Sequence, residues 1–252
     1  MTAPALACYP LRGLPEIRPG DDLGALVAAA APDDLDDGDV VVVAHKVVSK
    51  AEGRLRALAD IHPGERARAL AAEHGKDARL VQAVLDESAE LLRAQRGVLI
   101  AVTHHGFVCA NAGIDQSNAS ATDELVLLPK DPDRSARRLR EAIALQRGAQ
   151  PAVVVTDSFG RAWRMGQTDV AIGIAGLQPI EDWVGRPDGA GRELRVTSIA
   201  IADAAAGAAD LARSKDSREP AVLVRGLAPH VTREHGPGAA ALRRPPELDL
   251  FR

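Results

Sequence analysis

Four consecutive valines at positions 40–43 are the feature that most constrains the fold of this 252-residue chain. β-Branched side chains favour strands, and an uninterrupted apolar run leaves no polar face for water. We therefore expect the segment "DVVVVAHKVV" (39–48) to contain a strand buried on both faces. Similar apolar runs predict further strands at 97–103, 151–157, 192–203 and 220–226.

Helical patterns lie between these runs. The segment "DARLVQAVLDESAELLRAQRG" (77–97) repeats apolar residues at helical spacing, with Asp77 as an N-cap and Gly97 after the end. Two more helices are predicted at 133–148 and, more weakly, at 203–215. Interleaved strands and helices indicate an α/β or mixed α+β protein. Neither a P-loop nor a Rossmann glycine motif occurs in the sequence, so the usual nucleotide-binding folds are not expected.

The bulk composition narrows the class of protein. Aromatic residues make up 2% of the chain and its net charge is −4, so neither stacking platforms for bases nor general attraction to polyanions is expected. Cys8 and Cys109 match no zinc-binding spacing and give no disulfide framework. With no secretory signal and no apolar run of membrane-spanning length, we expect a cytoplasmic protein that binds neither membrane nor nucleic acid. We predict one domain over 1–252, with an extended, partner-contacting arm from about 228.

Two aspartates in unusual surroundings are the best candidates for metal ligands. Asp157 ends the apolar run 151–157 and is followed by Ser158 and a turn at Gly160, whereas Asp115 lies in "FVCANAGIDQSNAS" (107–120). Strand-end carboxylates without basic sequence neighbours suit a divalent cation bound through oxygen. The alternative for Asp157 is a simple capping role in the next turn.

Three cations follow the valine run at intervals of four residues: Lys46, Lys50 and Arg54. Either a helix or an extended strand would align them, and together they could bind phosphate oxygens. A solvated basic edge is the alternative interpretation.

Several long motifs occur together and in order: "GLPEIRPGDDL", "VVSKAEGR", "GFVCANAGIDQSN", "TDSFGRAWRMGQTDVAIGIAGL", "GRELRVT" and "PAVLVRG". Over about residues 11–227, they resemble the coenzyme F-420-0:L-glutamate ligase family. The resemblance implies a family-specific α/β fold, a homodimer, and a GTP-dependent enzyme that forms an amide between coenzyme F-420-0 and L-glutamate; whether further γ-glutamyl groups follow stays open at this point. It also implies Mg²⁺ or Mn²⁺ at two sites, with K⁺ as a further ion.

Residue roles follow from the same resemblance. The implied catalytic residues are Asp115, Asp157 and Lys50, and the implied metal ligands are Asp115, Asp157, Ser158 and Ser214. The implied GTP-binding residues are Gly13, Leu14, Pro15, Glu16, His45, Lys46, Lys50, Asn118, Ser214, Lys215 and Asp216.

The sequence departs from the family pattern at two places. Family members usually carry Met-Gly-Gln or Met-Gly-Glu near 212–214, where this chain has Ala212, Arg213 and Ser214, and a glutamate common in the family is replaced by Ala204. Two other functions therefore stay open at this point. One is a metal-dependent hydrolase of GTP or other phosphoanhydrides, and the other is a non-catalytic nucleotide-binding partner protein.

Overall fold

The computed structural model describes residues 6–116, 123–214 and 216–249. Helices and strands are interleaved over these residues, which also contain five short 3-10 helices. The α-helices and strands run in the order β1 (Ala7–Pro10), α1 (Leu23–Ala30), β2 (Val40–Ala44), α2 (His45–Ala51), β3 (Leu55–Ala57), α3 (Glu65–His74), α4 (Ala78–Asp86), β4 (Ser88–Gln95), β5 (Val98–Thr103), β6 (Val108–Ala110), β7 (Glu124–Val126), α5 (Pro132–Arg147), β8 (Ala152–Arg161), β9 (Arg164–Ala175), β10 (Ile180–Asp182), β11 (Ser198–Ala200), α6 (Ile201–Ala212) and β12 (Ala221–Arg225). The predicted mixed class is confirmed.

A five-stranded sheet in the order β1-β12-β2-β8-β9 forms the centre of the molecule. The valine run occupies β2, and all four of its side chains are fully buried. β2 pairs in parallel with β8, while the other neighbouring strands pair in antiparallel. The ends of β2 and β8 therefore point the same way, which places the residues that follow β2 beside the middle of β8.

Helices cover both faces of this sheet, as the apolar runs predict. On one face Val41, Val43, Val153 and Val155 pack against α1 and α5. On the other face Val40, Val42 and Val154 pack against α6. The alternation along each strand sends neighbouring residues to opposite faces, because the side-chain period of a strand is two.

The predicted helix over 77–97 is wrong in its second half. Asp77 caps α4 as expected, but α4 ends at Asp86 and β4 follows it. β4 forms a hairpin with β5, and its two turn residues, Arg96 and Gly97, both have positive φ angles of 52° and 76°. That is the backbone which a two-residue hairpin turn requires, so Gly97 closes a hairpin and does not stop a helix.

Two other predicted boundaries need correction. In the segment 192–203, only Ser198–Ala200 forms a strand, and α6 begins at Ile201. The alanine-rich sequence after Ile201 explains this early start, because alanine has the highest helix propensity. In the segment 39–48 the strand ends at Ala44, so His45 and the residues after it belong to α2.

The segment after β12 packs back onto the domain. Arg140 on α5 donates hydrogen bonds to the carbonyl oxygens of Thr232, Arg233 and Glu234, and Asp133 accepts one from the Ala239 amide. These contacts hold part of the predicted arm against α5, and its role in partner contact stays a prediction. Within the described ranges, no helix combines the length and apolar character needed to cross a membrane.

Candidate functional site

The predicted site residues gather where β2 passes into α2. The parallel register pairs Ala44 with Thr156, so the next residues, His45 and Asp157, lie side by side. Their closest atoms, His45 Nε2 and Asp157 Oδ1, are 3.2 Å apart. The imidazole is 2% exposed and the carboxylate 13% exposed, and His45 Nε2 makes no hydrogen bond. A buried, unsatisfied nitrogen therefore faces a carboxylate at the edge of the core.

Asp157 does not end its strand, contrary to the sequence-based prediction. β8 continues to Arg161 and forms a hairpin with β9, so the chain turns at 162–163 and not at Gly160. The strand is buried through Thr156 and becomes progressively exposed beyond it. Asp157 thus marks the point at which β8 leaves the core. Its Oδ1 accepts a hydrogen bond of 2.8 Å from the Ser158 amide, and this bond orients the carboxylate.

The second aspartate is brought to the same helix turn. Asp115 forms an isolated β-bridge with Val126, with backbone hydrogen bonds of 3.0 and 2.9 Å in the two directions. Its carboxylate forms an ion pair with Lys46 Nζ. His45 and Lys46, the first two residues of α2, therefore contact Asp157 and Asp115 respectively. The two aspartate motifs, 42 residues apart in number, converge on one turn of the chain.

Lys50 joins the predicted nucleotide-binding turn of residues 13–16 to α2. Lys50 Nζ lies 2.5 Å from Glu16 Oε1, and the glutamate side chain is 63% exposed. Gly13 has a φ of +84°, a conformation that glycine adopts without strain, and Leu14 packs against the core while Pro15 is exposed. The turn 13–16 and Lys50, which the sequence analysis assigned to one site, are therefore neighbours in the structure.

Arg54 does not share in this cluster. It lies beyond the end of α2, where its guanidinium donates to the Leu128 carbonyl oxygen at 2.9 Å and to Glu87 Oε2 at 2.7 Å. The predicted alignment of Arg54 with Lys46 and Lys50 is therefore wrong, whereas binding of phosphate by Arg54 stays a prediction. Helix α2 ends at Ala51, so the four-residue spacing no longer aligns the third cation.

Asp169 is a site residue that the sequence-based predictions missed. It is 1% exposed and its carboxylate contacts Thr156 Oγ1 at 2.8 Å, Ser158 Oγ at 2.6 Å and the Arg213 guanidinium. The hairpin register pairs Ser158 directly with Asp169. A hairpin centred on Ala162 and Trp163 would by itself pair Ser158 with Gln167, and a register shift between Gly160 and Arg161 moves the partner to Asp169, so the position of the turn alone would not have identified this pair.

Two of the three predicted GTP-binding residues at 214–216 lie within the described residues, and they contact each other. The Ser214 hydroxyl donates a 2.6 Å hydrogen bond to Asp216 Oδ1, and this bond lowers the pKa of that exposed carboxyl. Arg213 contacts the Ser158–Asp169 pair through the Asp169 carboxylate. Asn118 and Lys215 lie outside the described residues.

Carboxylate and hydroxyl oxygens of Asp115, Asp157 and Ser158 suit a hard divalent cation. Among the described residues, no three His, Cys, Asp or Glu side chains are grouped as a ready-made metal cage. Magnesium sites at nucleotides commonly use one or two carboxylates together with phosphate oxygens and water. The residues present, including the unsatisfied His45 Nε2 beside Asp157, fit a cation that arrives with a phosphorylated ligand.

Cys109, on β6, provides a measure of how dry the neighbourhood is. Burial raises the pKa of its thiol to about 12, and the negative charge of Asp157 adds to the effect. The thiolate form is therefore disfavoured, and the protonated thiol presents an apolar surface near Asp157.

Comparison with known proteins identifies the family. The chain matches the F420-0:Gamma-glutamyl ligase family over residues 13–226. It is 43% identical over 251 residues to "Coenzyme F420:L-glutamate ligase" of Methanopyrus kandleri, covering 99% of this chain and 98% of that protein. The proteins of the same name from Methanothermobacter thermautotrophicus (43% over 247 residues, 96% and 97%) and Archaeoglobus fulgidus (46% over 220 residues, 87% of each) are similarly close. The chain belongs to the F420-0:gamma-glutamyl ligase family.

Proposed function

We propose that this protein is a GTP-dependent ligase that joins coenzyme F-420-0 to L-glutamate through an amide bond. The amide-forming activity is supported by the family match and by relatives that carry the name coenzyme F420:L-glutamate ligase over nearly their full length. The use of GTP, the activated intermediate and the metal requirement are the finer parts of the proposal. They are supported by the chemistry of the residues around α2.

One observation carries this proposal: the first turn of α2 gathers both candidate metal-binding aspartates. His45 contacts Asp157 and Lys46 contacts Asp115, while Lys50 extends the same surface toward Glu16. A site with two carboxylates, two lysines and an oriented serine hydroxyl can accommodate a nucleotide triphosphate together with its cations.

Amide formation requires an activated carboxyl group. In the proposed first step, a carboxylate oxygen of coenzyme F-420-0 attacks the γ-phosphorus of GTP, the bond to the β-phosphate oxygen breaks, and GDP leaves. In the second step, the neutral amine of L-glutamate attacks the acyl carbon, inorganic phosphate leaves with its bonding electron pair, and the nitrogen releases one proton to the phosphate or to solvent. The products are the amide, GDP and phosphate.

The protein's own groups act mainly by positioning and by charge. Lys46 and Lys50 lie on one short helix and would exchange their present carboxylate partners for phosphate oxygens. Asp115 and Asp157 would hold one divalent cation and Ser158, on the other side of β8, would contribute to a second, and such cations when bound neutralise phosphate charge. The buried His45 ring forms the side of the site that faces the core. Its Nδ1 lies 3.4 Å from Ser49 Oγ, one turn further along α2.

A single assay tests this function against the two alternatives. Purified protein is incubated with coenzyme F-420-0, L-glutamate, Mg²⁺ and either GTP or ATP, and the products are examined by mass spectrometry. We expect a product heavier by one glutamyl group, formed with GTP and accompanied by equimolar GDP and phosphate. Phosphate release without the amide would instead indicate the hydrolase. Nucleotide binding with neither product would indicate the non-catalytic protein, and equal turnover with ATP would overturn the nucleotide assignment.

A further inference from the structure

Asp169 is buried next to the candidate site, but the proposed reaction gives it no role. Its carboxylate is almost fully buried and lies between two strand hydroxyls, Thr156 and Ser158, and the guanidinium of Arg213. Thr156 and Ser158 project to the α6 side of β8, whereas Asp157 lies on the other side of the strand, next to His45. Asp169 therefore acts on the serine and does not compete with Asp157.

The direction of the Ser158 hydrogen bond follows from the donor inventory. An ionised carboxylate can only accept, so Ser158 must donate its single hydroxyl proton to Asp169 Oδ1 across the 2.6 Å contact. What the Ser158 oxygen then has to offer a ligand is its lone pairs. A hydroxyl held in this way is a better cation ligand than one free to rotate, because its proton is already directed away.

Arg213 balances the buried charge and connects it to the neighbouring segment. Besides its ion pair with Asp169, its Nη1 donates to the Pro220 carbonyl oxygen at 3.0 Å. The same carbonyl accepts the Ala44 amide at 2.8 Å, at the end of β2. Arg213 thus ties the segment that leaves α6 to the strand end from which His45 follows.

From this geometry we infer that Asp169 is a positioning residue. It orients the Ser158 oxygen toward a divalent cation carried by the nucleotide and, through Arg213, fixes the Pro220 carbonyl at the same edge. This inference rests on the proposed function, because it assigns a role within the same site. It differs from a merely structural role in one respect: the effect of Asp169 on cation binding must pass through Ser158.

The test measures Mn²⁺ binding by electron paramagnetic resonance, in full-length protein saturated with a non-hydrolysable GTP analogue. Ser158→Ala removes the ligand oxygen, and we expect Mn²⁺ to bind about tenfold more weakly, within the range for groups around a metal. Asp169→Asn alone leaves Arg213 buried without its partner and is expected to lower the melting temperature by roughly 10 °C. The double variant Asp169→Asn with Arg213→Met removes both charges and is expected to recover most of that stability. Its Mn²⁺ affinity should still be about tenfold below wild type.

The decisive comparison is the triple variant that combines this double change with Ser158→Ala. If Asp169 acts through Ser158, the triple variant binds Mn²⁺ as weakly as Ser158→Ala alone, because residues that act as a unit are not additive. Multiplied losses in the triple variant, or wild-type affinity in the double variant, would overturn the inference. Asp39→Asn is the matched control: it weakens another buried carboxylate–arginine contact, 3.2 Å from Arg225 Nε at the opposite end of β2, and should lower stability without changing Mn²⁺ affinity.

The wild-type titration keeps the two proposals distinguishable. If wild-type protein with the analogue binds no Mn²⁺ beyond that held by the free nucleotide, the proposed function fails and this inference with it. If wild type binds Mn²⁺ and the double variant binds it equally well, only the role of Asp169 fails.

Discussion

At the two ends of the central sheet, the positively charged side chains have different kinds of hydrogen-bond partner. At the carboxyl end of β2, Lys46 and Lys50 are paired with the side-chain carboxylates of Asp115 and Glu16, and the latter is 63% exposed. At the amino end of β8, the Arg140 side chain is 1% exposed and donates to backbone carbonyl oxygens. These belong to Gln150, Pro151, Thr232, Arg233 and Glu234.

The difference shows which charges are exchangeable. The Glu16 carboxylate is on a flexible, exposed side chain, so it can move away and leave Lys50 to a phosphate, which is a comparable charged partner. Backbone carbonyls inside a packed fold cannot move away, and a buried guanidinium that satisfies them has no comparable alternative partner. The first end is therefore suited to binding and the second to stability. Substitutions at the two ends should separate these properties.

The largest expected effect is on stability, at Arg140. Arg140→Met preserves much of the side-chain volume but leaves several buried carbonyl oxygens without a donor, so unfolding should become easier by about 3–5 kcal/mol. A Cβ at Gly176 would lie 2.3 Å from Arg140 Cζ, so the guanidinium fits closely against that backbone and the variant leaves a gap there. Urea unfolding measures the change. Turnover per folded molecule should stay near wild type, and a specific loss of turnover would mean that the two ends are coupled.

The next effect is on turnover, at Asp157. Asp157→Asn keeps the side-chain shape and an oxygen to accept the Ser158 amide, but it removes the charge next to His45. We expect at least a hundredfold loss of turnover, on the order of 3 kcal/mol, because charge neutralisation of a transferring phosphoryl group contributes several kcal/mol. Steady-state assays at saturating Mg²⁺ measure it, with a thermal melt as the control for folding. Turnover within threefold of wild type would remove Asp157 from the site.

A smaller effect is expected on nucleotide affinity, at Lys50. Lys50→Ala should weaken GTP binding by roughly 1.5–3 kcal/mol, the range for a hydrogen bond to a charged group. Glu16→Gln is the informative partner, because it frees Lys50 from its carboxylate at 2.5 Å and should slightly strengthen GTP binding. Calorimetry gives both numbers. If neither variant changes GTP affinity, the pair is a solvated surface contact.

Much of this arrangement could be predicted from the sequence, and the exceptions have physical causes. The valine run of β2 and the α5 helix from Pro132 to Arg147 follow from periodicity, because one pattern fits each of them. Leu91 and Leu92 continue a helical spacing in β4, yet the hairpin turn at Arg96 and Gly97 determines the structure there. Asp115 and Asp157 could be recognised as unusual, but their common contact with α2 depends on the parallel pairing of β2 with β8. Asp169 needed the hairpin register, including its shift, which the position of the turn alone does not give.

The smallest expected effect concerns a carboxylate that lies at neither end. Asp203, in the first turn of α6, accepts a 2.9 Å hydrogen bond from the Ala171 amide, and burial raises the pKa of its carboxyl. Because the folded state binds this proton more tightly than the unfolded state, the ionised group costs stability at pH 7. That cost diminishes as the pH falls through the folded pKa toward about 3.9, the ordinary aspartate value. Asp203→Asn keeps an acceptor oxygen for Ala171 and carries no charge, so it should be slightly more stable than wild type at pH 7 and equally stable near pH 3. Urea unfolding at the two pH values checks this, and a variant less stable at both would show that the charge itself is favourable at the start of α6.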